Sequence, residues 1–159
     1  MALRKPLVLV NGEIAQLPAG DDIDAPFSGA IEISLVNDNA GSVVICTPVY
    51  ASAAGHFDKA NATAAGTAKV IGLVTSTTVA TGASGQVAVT GTVSATTGQW
   101  DAVTSGSGGL VFNTNYYLDT TAGKLTTTST TTTGQNNVFV GRGLSATVME
   151  LGIRQPILL

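Results

Sequence analysis

The chain is poor in the side chains that carry out chemistry. It has one His, one Cys and one Trp in 159 residues, and only 11% of its residues are charged, against about 25% in average soluble domains. Acid–base, nucleophilic and metal-assisted catalysis all depend on such groups. The composition therefore argues against an enzyme and predicts no cofactor. We expect a protein that acts through its surfaces.

The single cysteine excludes a disulfide framework within the chain. Cys46 ends the apolar run of residues 43–46, which predicts a strand with a buried, unreactive thiol. A nucleophilic thiolate would need a neighbouring cation. His56 lies ten residues further on, in a loop of small residues. Asp58 could orient it as a base, but no nucleophile accompanies the pair, so we interpret His56 as a surface residue.

Positive charge is also scarce. The 7 Lys and Arg are outnumbered by 10 Asp and Glu, which gives a formal net charge of −3. Nucleic-acid binding depends on clustered Lys and Arg, and the only basic pair is Arg4-Lys5, so no nucleic-acid partner is predicted. The cluster Asp21, Asp22 and Asp24 lacks the ligand order of a calcium loop. We interpret it as an acidic turn, and the sequence leaves open whether it holds an ion.

Long hydrophobic runs are absent. No run approaches the ~18 apolar residues that a membrane span needs, so no membrane partner is predicted. The mean hydropathy is nevertheless +0.34, and the surplus apolar surface is expected to pack against other protein chains. The apolar stretch near the start is too short for a secretory signal. We therefore expect synthesis in the cytoplasm.

The sequence is rich in Thr, Ala, Gly, Val and Ser, arranged in short runs with β-like alternation. Residues 31–35 and 86–90 alternate apolar and polar side chains, the pattern of a half-buried strand. The pattern predicts an all-β fold, a compact β-barrel or β-sandwich of short strands. The exception is residues 97–103, which predict a single helical turn capped by Thr96 or Thr97.

Residues 1–28 differ from the rest and predict an N-terminal arm or hairpin. Asn11-Gly12 is a strong hairpin turn signal between the apolar run of residues 7–10 and the alternating residues 13–17. Residues 29–159 form the predicted β-rich body, which ends in an apolar tail. A weak internal repeat begins at Thr47 and again at Thr114. Each copy has a Tyr-containing strand, an Ala-Gly turn, a polar connector and a Gly-containing apolar strand. The repeat predicts two similar β-units.

Both ends of the chain are apolar, although free chain ends are usually polar. They predict docking onto a neighbouring subunit or scaffold, and the alternative is that they close the chain's own barrel as edge strands. Trp100 is interpreted as an anchor in the core or at a subunit contact, with a sugar contact as the alternative. The candidate interface residues are Leu3, Arg4, Pro6, Leu7, Leu9, Trp100, Pro156, Ile157, Leu158 and Leu159.

Several segments resemble virion proteins of tailed bacteriophages. Residues 5–14 (KPLVLVNGEI) and 17–21 (LPAGD) resemble the start of many of these proteins. Residues 93–104 (VSATTGQWDAVT), 140–145 (VGRGLS) and 156–159 (PILL) are similar to later segments. The resemblance covers most of the chain and is to the small capsid decoration, or cement, type. None of its motifs carries catalysis.

The resemblance implies a structural protein on the capsid surface of a virion assembled in a bacterial host. Such a protein would bridge adjacent capsomers and stabilise the shell. Its partners would be the major capsid protein and further copies of itself, with which it would form a homotrimer. The alternative is a tail or head fibre module that binds a host-surface glycan. Its candidate contacts are the aromatic residues Trp100, Tyr116 and Tyr117.

Overall fold

The computed structural model describes residues 29–159 and the backbone of two N-terminal strands, β1 (Leu7–Val10) and β2 (Glu13–Gln16). These strands pair antiparallel, with Val10 opposite Glu13, the pairing that the sequence predicts for this segment. The rest of the predicted arm, residues 1–28, lies outside the described residues.

The body consists of short strands and a single helix among the described residues, which confirms the all-β prediction. The elements are β3 (Ile31–Asn37), β4 (Val43–Val44), β5 (Pro48–Ala53), β6 (His56–Lys59), β7 (Val70–Val74), β8 (Thr78–Val79), β9 (Ser84–Ser94), α1 (Thr97–Thr104), β10 (Asn115–Leu118), β11 (Leu125–Thr126), β12 (Asn136–Asn137), β13 (Phe139–Gly143), β14 (Val148–Leu151) and β15 (Ile157–Leu158).

Five strands close into a barrel in the order β9-β3-β6-β5-β7, with β7 pairing back onto β9. All its pairs are antiparallel except β3 and β6, which are parallel and meet only through Val36 and Asn37. Closure leaves few free sheet edges. Buried apolar side chains form the smaller of two cores, and these are Val43, Val49, Phe57, Val74, Val79 and Val87.

Strand β9 belongs to both halves of the body. It turns at Gly91, whose φ of +94° is open to glycine but costly for other residues, and its last residues pair with β14. A second sheet then follows in the order β9-β14-β13-β10-β11. The larger core contains side chains from both halves, including Leu73, Ala88, Trp100, Tyr116, Leu118, Val140 and Met149.

The two halves repeat one arrangement of four strands. The order β6-β5-β7-β9 in the barrel matches β11-β10-β13-β14 in the second sheet. A bulge interrupts both central pairs at the same point, so that Tyr50 faces Val70 and Tyr117 faces Phe139, with one residue skipped. In each half the residue before this Tyr faces a glycine. The structure therefore contains the two similar β-units that the sequence repeat predicts.

The helix forms where the sequence predicts it. Thr96 caps α1: its hydroxyl accepts from the Gln99 N–H, and the Gln99 side chain accepts from the Thr96 N–H. This reciprocal pair satisfies backbone donors that a helix N-terminus otherwise leaves unpaired. Ser105 ends the helix in the left-handed conformation, with φ at +56°. Trp100 and Val103 are the side chains that α1 buries.

One strand prediction needs correction. The strand predicted over residues 43–46 ends at Val44, because Cys46 adopts a positive φ of +67° and turns the chain. The next strand, β5, begins at Pro48 and lies inside the sheet, between β6 and β7. Proline is tolerated there because it is the first residue of the strand. Local alternation does not reveal how many neighbours a strand has.

Candidate binding surfaces

The C-terminal tail is fixed by its backbone and exposes its side chains. Strand β15 pairs antiparallel with β12, and the Leu159 N–H donates to the Gln135 carbonyl oxygen over 3.0 Å. Ile157 and Leu158 are 63% and 66% exposed, and Pro156 is half-buried. The tail therefore does not close the barrel. It presents apolar side chains at a defined position on the surface.

A second apolar position lies in the turn before β10, and the sequence did not predict it. Val111 and Phe112 are 60% and 75% exposed. The Val111 N–H donates to the buried Tyr116 hydroxyl over 2.9 Å, and the Asn113 N–H donates to the Gly143 carbonyl over 2.7 Å. These bonds hold the turn against the second sheet, so Phe112 projects from a fixed backbone. We call Val111 and Phe112 the apolar turn.

A third apolar position is the first half of β3. Ile31 is 63% exposed and Ile33 is 39% exposed. Here β3 pairs with β9, whereas its pairing with β6 begins only at Val36. Within the described part of the chain, residues 31–35 thus have a neighbouring strand on one side only. An open strand edge with apolar side chains is a ready site for another chain.

The remaining predicted interface residues give a mixed result. Trp100 is fully buried, and its indole Nε1–H donates to the Thr147 carbonyl over 3.0 Å. It anchors α1 in the chain's own core and is not displayed for a neighbour or a sugar. Leu3, Arg4 and Pro6 lie outside the described residues, and only backbone pairing is described for Leu7 and Leu9.

A groove of about 510 Å³ runs along the outer face of β10, β13 and β14. Asn115 lies opposite Arg142 in the next strand, and Arg142 lies opposite Glu150 in the one after it. The Arg142 guanidinium is 3.0 Å from the Glu150 carboxylate, with both side chains about half exposed. The sheet register therefore produces a row of planar polar side chains across three strands.

Two aromatic rings line the groove beside this row. The Tyr117 and Phe139 rings meet edge to face, with centroids 6.0 Å apart. The Arg154 guanidinium lies 5.4 Å from the Phe139 ring centroid, and the Arg154 N–H donates to the Phe139 carbonyl over 3.0 Å. Gly152 leaves room for this ring, because a Cβ there would be 2.9 Å from Phe139 Cε1.

The bulge in β13 explains why sequence reasoning found only part of this groove. It lets Val140 and Gly141 both be buried, so that Phe139 lines the groove with Tyr117. Tyr117 was among the predicted glycan contacts, but Tyr116 points inward and is buried. Phe139, Arg142 and Arg154 were missed. Strict alternation from the exposed Arg142 would have placed Phe139 on the buried face.

His56 pairs with a different carboxylate from the one considered in the sequence. Its Nδ1 is 2.7 Å from Asp38 Oδ1, and the Ser52 hydroxyl donates to Asp38 Oδ2 over 2.7 Å. Both hydrogen bonds lower the pKa of Asp38, and the bond from Ser52 has the larger effect. Asp58 instead accepts from the Asn39 side chain. The serine bonds the carboxylate and not the imidazole, so the cluster lacks the geometry of an activated nucleophile.

The remaining candidates for a chemical role are the Cys46 thiol and the side chains that could bind a metal ion. Cys46 is buried, and burial raises the pKa of its thiol to about 12. Across residues 29–159 no three His, Cys, Asp or Glu side chains come together as metal ligands. Asp21, Asp22 and Asp24 lie outside the described residues.

Among the described elements no helix has the length and apolar character to cross a bilayer.

Comparison with protein-family models finds no match for this chain, and comparison with curated proteins finds no significant match either.

Proposed function

We propose that the protein is a structural component of a tailed-phage virion that decorates the capsid and stabilises the shell by bridging capsomers. Its partners are the major capsid protein and further copies of itself, in a trimer. The sequence resemblance supports a place in the virion and a trimeric state. The surface supports a binding role that uses apolar contacts.

The observation that carries the proposal is the exposure of large apolar side chains on a fixed backbone. The apolar turn and the tail are both tied to the body by backbone hydrogen bonds. A backbone segment held in place before binding loses little conformational entropy when it docks, so more of the burial energy of its side chains contributes to affinity. These positions are suited to contact with another protein surface.

The strength of such contacts fits a repetitive shell. Full burial of a side chain such as Phe112 contributes about 1.5–3 kcal/mol, and the tail adds a similar amount for each buried Leu or Ile. One contact of this size is weak. A multimer that engages several capsomers at once gains avidity without new contacts. The low charge of the chain also keeps desolvation costs small.

The proposal is tested by co-sedimentation of the purified protein with expanded phage heads that lack a decoration protein. We expect stoichiometric binding of the wild-type protein. The variants Phe112→Ser and Leu158→Ser should each weaken binding at least tenfold. Thr127→Ser, at an exposed position that belongs to neither the apolar turn nor the tail, is the control and should bind like wild type. Failure of the wild-type protein to bind heads would contradict the proposal.

A further inference from the structure

The groove on the second sheet adjoins the tail at Ile157, but its other lining residues lie outside the apolar positions. Its strands β13 and β14 each have a paired neighbour on both sides, so their backbone groups are already used in the sheet. A peptide therefore finds no open edge of β13 or β14 to pair with. Recognition along these strands comes from side chains such as Arg142 and Glu150, while Arg154 and Gln155 reach the groove from the segment that follows β14.

The side chains of the groove match the surface of a sugar. Tyr117 and Phe139 provide aromatic area, against which the C–H faces of a pyranose ring pack. Asn115, Asn137 and Gln155 add planar amides that can pair with neighbouring hydroxyls. The Oδ1 of Asn137 is buried and has no hydrogen-bond partner among the described residues. A volume of about 510 Å³ falls in the range of small-molecule sites.

The charge of the groove selects the kind of sugar. Two of the chain's 7 Lys and Arg residues line it, Arg142 and Arg154, against a single carboxylate, Glu150. Arg142 is paired with Glu150, whereas no carboxylate in residues 29–159 pairs with Arg154. The contact with the Phe139 ring holds the Arg154 guanidinium at the groove. A guanidinium placed in this way is suited to a two-pronged bond with a carboxylate.

We propose that this groove binds an acidic saccharide, with Arg154 on the uronate carboxylate and Tyr117 and Phe139 against the sugar ring. The polar row of Asn115, Arg142 and Glu150 contacts the hydroxyls. This site does not depend on the capsid role: a decoration protein with such a groove would hold particles at polysaccharide-coated cells, and the same groove would serve a fibre.

The test is a titration of the full chain with tetragalacturonate, followed by NMR chemical shifts and by calorimetry. We expect saturable binding with a Kd of roughly 1 mM or tighter, with the largest shifts at Tyr117, Phe139 and Arg154. The methyl ester of the same tetrasaccharide keeps the sugar rings but lacks the carboxylate charges, and it should bind at least tenfold more weakly. A tetraglutamate peptide carries the same net charge without the sugar ring and should not bind.

Matched variants assign the effect to the groove. Arg154→Gln should weaken binding of tetragalacturonate at least tenfold, while Lys69→Gln removes an exposed cation elsewhere and should leave it unchanged. Glu150→Gln frees Arg142 and should strengthen binding severalfold. The proposal would be overturned if the Arg154 and Lys69 variants lost binding equally, or if the ester bound as well as the acid. Tight binding of tetraglutamate, or no saturable binding of tetragalacturonate, would overturn it as well.

Discussion

Gly72 in β7 and Gly141 in β13 hold equivalent positions in the two β-units. Each faces the residue that precedes the bulge, and each packs against a carbonyl of the following strand. A Cβ on Gly141 would lie 2.5 Å from the Glu150 carbonyl oxygen, and a Cβ on Gly72 would collide with the Ala88 carbonyl oxygen. The two glycines let neighbouring strands approach closely beside the bulge. Both β-units therefore require a residue without a side chain at this position.

Gly141→Ala should destabilise the protein by about 2–3 kcal/mol, because the added methyl group meets backbone that cannot move without breaking the ladder. Gly66→Ala is the matched control, since nothing lies within 4 Å of a Cβ at that position, and it should change stability by less than about 0.5 kcal/mol. Urea unfolding of both variants provides the measurement. If the Gly141→Ala and Gly66→Ala variants were equally stable, β13 and β14 would not be packed as closely as the structure shows.

Trp100 should behave as a buried fluorophore. It is the only Trp and is fully buried, so its emission should be blue-shifted in the folded protein and poorly quenched by acrylamide. Unfolding in guanidinium should shift the emission to the red and raise the quenching. Quenching as strong in the folded as in the unfolded protein would show instead that Trp100 is displayed for a partner.

Cys46 should be unreactive while the protein is folded. With a thiol pKa of about 12, roughly one thiol in ten thousand is ionised at pH 8, and the thiolate is the reactive form. Labelling with Ellman's reagent at that pH should therefore be very slow, and it should become rapid and complete in denaturant. Fast labelling of the native protein would contradict the buried position of Cys46.

Asp38 should titrate below its ordinary pKa of 3.8. Because the folded-state pKa is lowered, its contribution to stability is complete above that ordinary value and is lost as the pH falls through the lowered pKa. The hydrogen bond from Ser52 lowers the Asp38 pKa most. Ser52→Ala removes this bond and should raise the pKa toward 3.8, as measured by NMR titration of the carboxyl group. Ser107→Ala is the control at an exposed position. An unchanged pKa in Ser52→Ala would show that Ser52 does not hold the carboxylate.

Local patterns predicted the local elements. The alternation of residues 86–90 corresponds to part of β9, and the Thr96 cap and its partner Gln99 correspond to the start of α1. The repeat predicted two β-units because its Tyr, its turn glycine and its apolar strand each occupy matching places in the two halves. Such features depend on neighbours in the chain and on backbone preferences, which a sequence shows directly.

The features that required the structure depend on distant residues. Closure of the barrel through β7 and β9 joins residues whose pairing no local pattern encodes. The bulge that brings Phe139 beside Tyr117 lies next to Gly141, which packs closely on distant residues of β14. The exposure of Phe112 follows from bonds to Tyr116 and Gly143. The groove and the apolar turn could therefore not be predicted from composition and alternation.

The most direct test of the proposed role in the capsid is electron cryomicroscopy of phage heads that lack a decoration protein, imaged before and after addition of the purified chain. The account predicts regular extra density at symmetry positions between capsomers, in trimers, with the apolar turn or the tail against the shell. An undecorated shell, with density instead on the tail or on the host cell surface, would contradict it and favour a fibre module.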